Sequence, residues 1–280
     1  MVVFPNAKIN IGLHITSRRP DGYHDIETVM IPVPWCDVLE IVPSESGDTT
    51  LTVTGRAVAC PPEKNLVMKA YRALDATVTL PPLDIYLRKI IPDGAGLGGG
   101  SADAAFTVMA INRMLELNLT DSQMAEICSS IGADCPYFIY NRPMIATGTG
   151  TTLSPIDLTA LNGMTVALVK PDISVPTAEA YAGVTPKLPV CDLPSLLHTP
   201  VSLWKDRVAN DFEASIASRH RVIAEIKQQL YSLGAIYASM SGSGSAVYGI
   251  FDSDIMSPDI AKHFSDHDTF VGKFTAMNDI

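Results

Sequence analysis

The chain has 280 residues, 47% of them hydrophobic and 18% charged, with a mean hydropathy of +0.20. At roughly 150 residues per domain this length predicts two packed lobes with a ligand cleft between them, and the apolar fraction excludes extensive disorder. A formal charge of −10 and a pI near 5.0 argue against general binding to nucleic acid or to anionic membranes, so an anionic ligand needs a local positive site.

No apolar run reaches the roughly 18 to 20 residues of a membrane span. The segment Met1–Lys8 lacks the basic start and apolar core of a signal peptide, so the expected location is the cytoplasm. Cys36, Cys60, Cys128, Cys135 and Cys191 form no CxxC pair and stand at no zinc-finger spacing to histidine. They read as reduced thiols, and no structural metal is expected.

From Ala7 to His14 the residues alternate, with Ile9, Ile11 and Leu13 on one face of a strand and Lys8, Asn10, Gly12 and His14 on the other. The second face is polar and available to ligands. The turn Arg18–Gly22 leads to Tyr23 and His24, and β-like runs follow through Trp35–Val42 and Thr49–Thr54. Asn65 is placed to cap a helix whose Val67, Ala70, Tyr71 and Leu74 recur at helical spacing. Leu83, Ile85 and Leu87 alternate with polar residues as a strand that runs into the glycine-rich stretch Pro92–Ser101. A helix with Ala104, Val108, Ile111 and Leu115 on one stripe comes next.

Thr120 and Gln123 form a capping-box pattern before Met124, Ile127, Cys128 and Ile131, and Gly132 stops that helix, leaving Asp134 just past its end. The turn-rich stretch Gly148–Thr152 marks a lobe boundary, dividing residues 1–150 from 151–280. Thr165–Val169 reads as a strand, and Val222, Ile223, Ile226, Leu230 and Leu233 define a helix ending at Gly234. A hairpin unit follows, with strands near Ala235–Ser239 and Ala246–Phe251 around the loop Met240–Ser245. Strands and helices intermix and there is no internal repeat, which makes the class α+β or α/β.

A glycine run between a strand and a helix lets backbone amides approach an anion without Cβ clashes, and the helix dipole adds positive potential. Polyphosphate binding is the functional reading, and a tight strand-to-helix turn is the plain one. No Gly-Lys-Ser/Thr closes the run, so it is not a Walker A loop. Gly94, Gly96 and Gly99 satisfy G-x-G-x-x-G, but a dinucleotide-binding unit returns to a parallel strand ending in an acidic residue roughly 20 residues on. This chain proceeds instead into a second capped helix.

The sequence from Pro92 to Ala105, PDGAGLGGGSADAA, resembles the phosphate-binding signature of the GHMP kinases, the galactokinase, homoserine, mevalonate and phosphomevalonate kinase superfamily. Pro5–Asn10, Arg19–His24 and Gly132–Phe138 narrow the resemblance to the diphosphocytidyl-methylerythritol kinase family. Lys170–Thr177, Asn210–Glu213 and Ser241–Ser245 extend it through the C-terminal part, while Thr185–Val201 matches nothing in the family. Cys135 stands where a β-branched residue is common, and Ala102-Asp103 where Ser-Asn or Ser-Asp is frequent.

The resemblance implies a two-lobed α+β fold with an ATP-binding N-terminal domain and a substrate-binding C-terminal domain. It implies transfer of the ATP γ-phosphoryl group, with Mg2+, to the 2-hydroxyl of 4-diphosphocytidyl-2-C-methyl-D-erythritol, a step of the non-mevalonate route to isoprenoids. Asp134 is the expected base, with Lys8 holding it ionised and facing the moving phosphoryl group; by spacing alone Asp134 reads equally as a turn aspartate. ATP is expected on Pro92, Asp93, Gly94, Ala95, Gly96, Leu97, Gly98, Gly99, Gly100, Ser101 and Ala102, with Asn65 and Leu66 at adenine. Asn10, Tyr23, His24, Thr177 and Tyr181 are assigned to the substrate, the two tyrosine rings flanking cytosine. The expected partners are therefore ATP and a small cytidine-diphosphate sugar alcohol, with neither nucleic acid nor membrane. The other readings are a sister kinase acting on another small molecule and a catalytically silent nucleotide-binding protein.

Overall fold

The computed structural model of the chain describes residues 1–58, 60–189, 192–252 and 257–274. Its strands are β1 (Val2–Val3), β2 (Asn6–Arg18), β3 (His24–Cys36), β4 (Val38–Pro43), β5 (Thr50–Gly55), β6 (Leu83–Lys89), β7 (Met144–Thr147), β8 (Thr152–Pro155), β9 (Thr165–Lys170), β10 (Tyr237–Met240), β11 (Val247–Phe251) and β12 (Asp268–Lys273). Its helices are α1 (Leu66–Asp75), α2 (Gly99–Met114), α3 (Asp121–Ser129), α4 (Cys135–Tyr140), α5 (Thr177–Ala182), α6 (Leu193–Leu197), α7 (Glu213–Arg219), α8 (Arg221–Ser232) and α9 (Ser257–His263). This mixture is α+β.

Two compact units interleave along the chain. The first comprises Met1–Ala7, Trp35–Asp93 and Gly98–Asn141; the second comprises Lys8–Pro34, Gly94–Leu97 and Arg142–Ile280. The second unit takes Lys8–Pro34 from the N-terminal half because β3 pairs with β7 across Thr28–Ala146 and Met30–Met144. The stretch Gly148–Thr152 forms the turn between β7 and β8 within that sheet.

In the first unit the sheet runs β1-β4-β6-β5, antiparallel except for the β5–β6 pair. The alternation in β6 buries Leu83, Ile85 and Leu87 on one face and turns Tyr86 outward. Helix α1 forms where the sequence places it: the Asn65 side chain accepts from the Val67 amide at 2.9 Å, and Val67, Ala70, Tyr71 and Leu74 are buried. Val67 and Leu74, both fully buried, contribute about 1.5 to 3 kcal/mol each. The Thr120–Gln123 capping box opens α3. The six-residue α4 is not foreseen by the sequence reading; Asp134 is its N-cap residue as well as lying beyond the end of α3.

In the second unit one sheet runs β2-β3-β7-β8, and an antiparallel sheet runs β10-β11-β9-β12. Leu13 and Ile15 of β2 share a core with Ala167 and Val169 of β9, Val247 and Phe251 of β11, and the stripe Ile223, Ile226 and Leu230 of α8. The hairpin predicted around Met240–Ser245 is β10–β11. The polar face predicted for β2 is real but enclosed: Lys8, Asn10 and His14 are as buried as the aliphatic residues between them. Alternation reports which side chains share a face and not whether that face meets water. Cys36, Cys60, Cys128 and Cys135 are free thiols, and Cys191 lies outside the described residues. Among the described residues, no helix is long and apolar enough to cross a membrane.

Candidate active site

In the first unit, α2 starts directly after Gly98, whose φ of 71° a side chain would resist, and no side chain caps it. The opening amides of a 16-residue helix thus lack both an intrahelical acceptor and a capping group, leaving a positive terminus suited to phosphate oxygens. Asn65, Leu66, Asp93 and Gly100 line one cavity of about 150 Å³ together with Lys89 and Asp103. The structure therefore brings the two expected adenine residues to the glycine helix. Pro92 and Ala102 are buried.

Beneath the glycine helix lies a charged network that the sequence reading misses. The Lys89 ammonium donates to Asp37 Oδ2 and, at 2.6 Å, to Asp103 Oδ2, while Asp37 Oδ1 accepts from the Ile90 and Ile91 amides. Burial pushes the Asp103 carboxyl up; Lys89 pulls it back and Asp37 raises it again, leaving it at about 7. Burial lowers the Lys89 ammonium, but the two carboxylates more than offset this and raise it. The signal for Lys89 was parity: it follows Leu83, Ile85 and Leu87 on the buried face of β6.

Asp134, half-buried at the start of α4, lies near the same helix. The neighbouring Cys135 thiol is hydrogen-bonded by Ser101 in the first turn of α2, and it is pushed up to about 11 chiefly by burial, with the Asp134 charge adding to the rise. Tyr137 is raised well above the ordinary tyrosine range by burial and again by Asp134. The Asp134 carboxylate is thus felt by both Cys135 and Tyr137, and Cys135 is hydrogen-bonded to the first turn of the glycine helix.

In the second unit the Lys8 ammonium donates to Asn10 Oδ1 at 2.5 Å, and Asn10 Nδ2 donates to Thr28 Oγ1 at 3.2 Å. Asn10 thus fixes the lysine rather than standing as an open polar group. The backbone of Lys8 donates to the Leu97 carbonyl at 2.9 Å, tying β2 to the segment Gly94–Leu97. His24 stacks on Tyr181, with ring centroids 4.9 Å apart and planes at 24°, and Tyr181 meets Phe212 edge-on. Thr177 and Tyr181 lie four apart on α5 and so share a helical face. Tyr23 is 68% exposed, its amide donating to Asp21 Oδ1 at the turn. The second unit therefore gathers Lys8 with Asn10, and His24 with Tyr181, and leaves Tyr23 exposed.

The chain matches the model of the GHMP kinases N terminal domain over residues 65–142 and that of the GHMP kinases C terminal over residues 196–263. A relative from Parabacteroides distasonis named 4-diphosphocytidyl-2-C-methyl-D-erythritol kinase is 53% identical, the match covering 90% of this chain and 92% of that one. A relative of the same name from Bacteroides fragilis is 49% identical over 91% and 93% of the two chains. A solved structure of 4-(cytidine 5'-diphospho)-2C-methyl-D-erythritol kinase superposes with a TM-score of 0.77 at 28% identity, covering 97% of this chain and 98% of that one. The mevalonate kinase of Methanococcus jannaschii shares the fold, with a TM-score of 0.70 at 12% identity over 99% and 98%. With both GHMP kinase models matched and relatives of this name about half identical over nine-tenths of the chain, the chain belongs to the 4-diphosphocytidyl-2-C-methyl-D-erythritol kinase family of the GHMP kinases.

Proposed function

We propose that the protein phosphorylates the 2-hydroxyl of 4-diphosphocytidyl-2-C-methyl-D-erythritol with ATP, giving the 2-phosphate and ADP, in the non-mevalonate route of isoprenoid biosynthesis. The observation that carries the chemistry is the placement of Asp134 one residue from Cys135, whose thiol is hydrogen-bonded by Ser101 of the glycine helix. Magnesium accompanying ATP would neutralise charge developing on the transferred phosphoryl group, and residues 94–101 would hold the complex through its phosphates. The chain's own part is binding, positioning, proton acceptance and charge stabilisation.

In this reading the amides of residues 94–101 cradle the phosphates, and the cavity at Asn65 and Leu66 receives the adenosine end. Asp134 accepts the hydroxyl proton as the new P–O bond forms, and the Lys8 ammonium, oriented by Asn10, stabilises charge on the transferred phosphoryl group. Asn10, Tyr23, His24, Thr177 and Tyr181 hold the cytidyl substrate, with an aromatic face for the base. This reading places the reaction in the cytoplasm. Phosphorus NMR of the reaction mixture tests the acceptor position: a new phosphomonoester coupled to the tertiary C2 carbon is expected, and a product esterified at another hydroxyl would overturn the assignment.

A further inference from the structure

No residue of the segment Asn210–Glu213 has a place in the chemistry above. The side chains of Asn210 and Glu213 make contacts within the second unit that converge on one loop. The Asn210 side chain is buried, and its amide donates to two carbonyls, Met240 O and Gly242 O, both at 2.8 Å. Its Oδ1 accepts from the Phe212 amide at 3.0 Å, which fixes the rotamer. Backbone bonds from Leu13 to Ala209 and from Asp211 to Leu13 dock the segment on β2, the strand that carries Lys8 and Asn10.

The two carbonyls flank Ser241, which is fully buried. Ser241 Oγ donates to the Gly96 carbonyl at 2.9 Å and accepts from the Asn10 amide at 3.3 Å. A second tie runs from the Ala246 amide to the Ala95 carbonyl at 3.1 Å. There is no slack at this contact: Gly96 has a φ of +73°, and a Cβ added there would fall on the Ser241 carbonyl oxygen. Glu213 steadies the approach to the loop, its Oε2 accepting from Ser239 Oγ at 3.1 Å and the Met240 amide at 3.0 Å while Lys227 holds Oε1.

We propose that Asn210 is a positioning residue for ATP: by clamping the carbonyls on either side of Ser241 it sets the loop that holds Gly96 in the phosphate-binding run. The proposal rests on the reading of residues 94–101 as the phosphate cradle. Without the two amide hydrogens both carbonyls lose their buried donor, Ser241 is released, and Gly96 loses its fixed neighbour.

Asn210→Asp isolates this function, because it keeps the shape and the acceptor for Phe212 while replacing the donor with another acceptor. Titration calorimetry of wild type and variant against ATP and, separately, against the cytidyl substrate is the readout, with thermal unfolding run alongside. The expected result is ATP affinity weakened at least about tenfold with substrate affinity within about twofold, a split that general destabilisation would not produce. Ser241→Ala, which cuts the tie to Gly96 without burying a charge, is expected to show the same split and decides the matter if Asn210→Asp does not fold. Equal loss for both ligands, or unchanged ATP affinity in folded protein, overturns the proposal. Gly96→Ala separates the two levels: if it leaves ATP affinity unchanged, the cradle reading fails and the proposal with it. If it weakens ATP while Asn210→Asp and Ser241→Ala do not, the positioning role alone fails.

Discussion

Lys89→Met tests whether the ion network under the glycine helix is structural. The substitution preserves most of the side-chain volume and leaves Asp37 and Asp103, 0% and 2% exposed, without their cation. Removing one partner of a buried ion pair costs about 3 to 5 kcal/mol. With a melting entropy of about 2.1 cal/mol/K per residue, the 280 residues give about 0.6 kcal/mol/K, so Tm should fall by about 5 to 9 °C. The pH dependence has a definite sign. Asp103 holds its proton up to about 7 in the folded chain against an ordinary 3.8, so the folded state binds more protons between those values. Its contribution is complete below the lower value and is lost as pH rises through the upper one. Lysine is the group that pulls Asp103 back down, so its removal deepens the loss at higher pH. Circular-dichroism melts at pH 5 and pH 8 are the assay, with the larger deficit expected at pH 8. A deficit under about 2 °C, or one equal at both values, would refute the reasoning.

Asp103→Asn removes the proton linkage while keeping an acceptor for Lys89, so the Tm difference between pH 5 and pH 8 should shrink relative to wild type in the same melts. Asn65→Ala deletes the cap on the Val67 amide and should lower stability by about 1 kcal/mol, read as the shift in urea midpoint. Tyr181→Ala removes the ring stacked on His24 and set edge-on to Phe212, and should raise KM for the cytidyl substrate about tenfold with KM for ATP unchanged. A matched rise in both constants would remove Tyr181 from the substrate site.

Much of the fold was legible because its signals are local. Asn65 caps α1, Thr120 and Gln123 close a capping box, and the alternations in β2 and β6 give the strands. The candidate site was legible where residue types cluster in sequence, as in the glycine run. What stayed hidden depends on long-range contact. Burial of the β2 polar face could not be read because alternation is the same for a half-exposed strand as for one covered on both sides. The pairing of Lys89 with Asp37 spans 52 residues and that of Asn210 with Met240 spans 30, so neither leaves a periodic trace. The interleaving of the two units follows from β2 and β3 joining a sheet completed by β7 and β8, an outcome that depends on strand pairing rather than on composition. Helix α4 was missed because six residues beginning at Cys135-Pro136 are too few to show a helical period.

The most direct test of the central claim is ADP release from magnesium-ATP with 4-diphosphocytidyl-2-C-methyl-D-erythritol as acceptor, run beside homoserine, mevalonate and galactose for wild type and Asp134→Asn. Turnover is expected with the cytidyl acceptor alone, and it should fall by at least about a hundredfold in the variant while ATP still binds. Turnover with another of the acceptors and none with the cytidyl compound, or full activity in Asp134→Asn, would contradict the account.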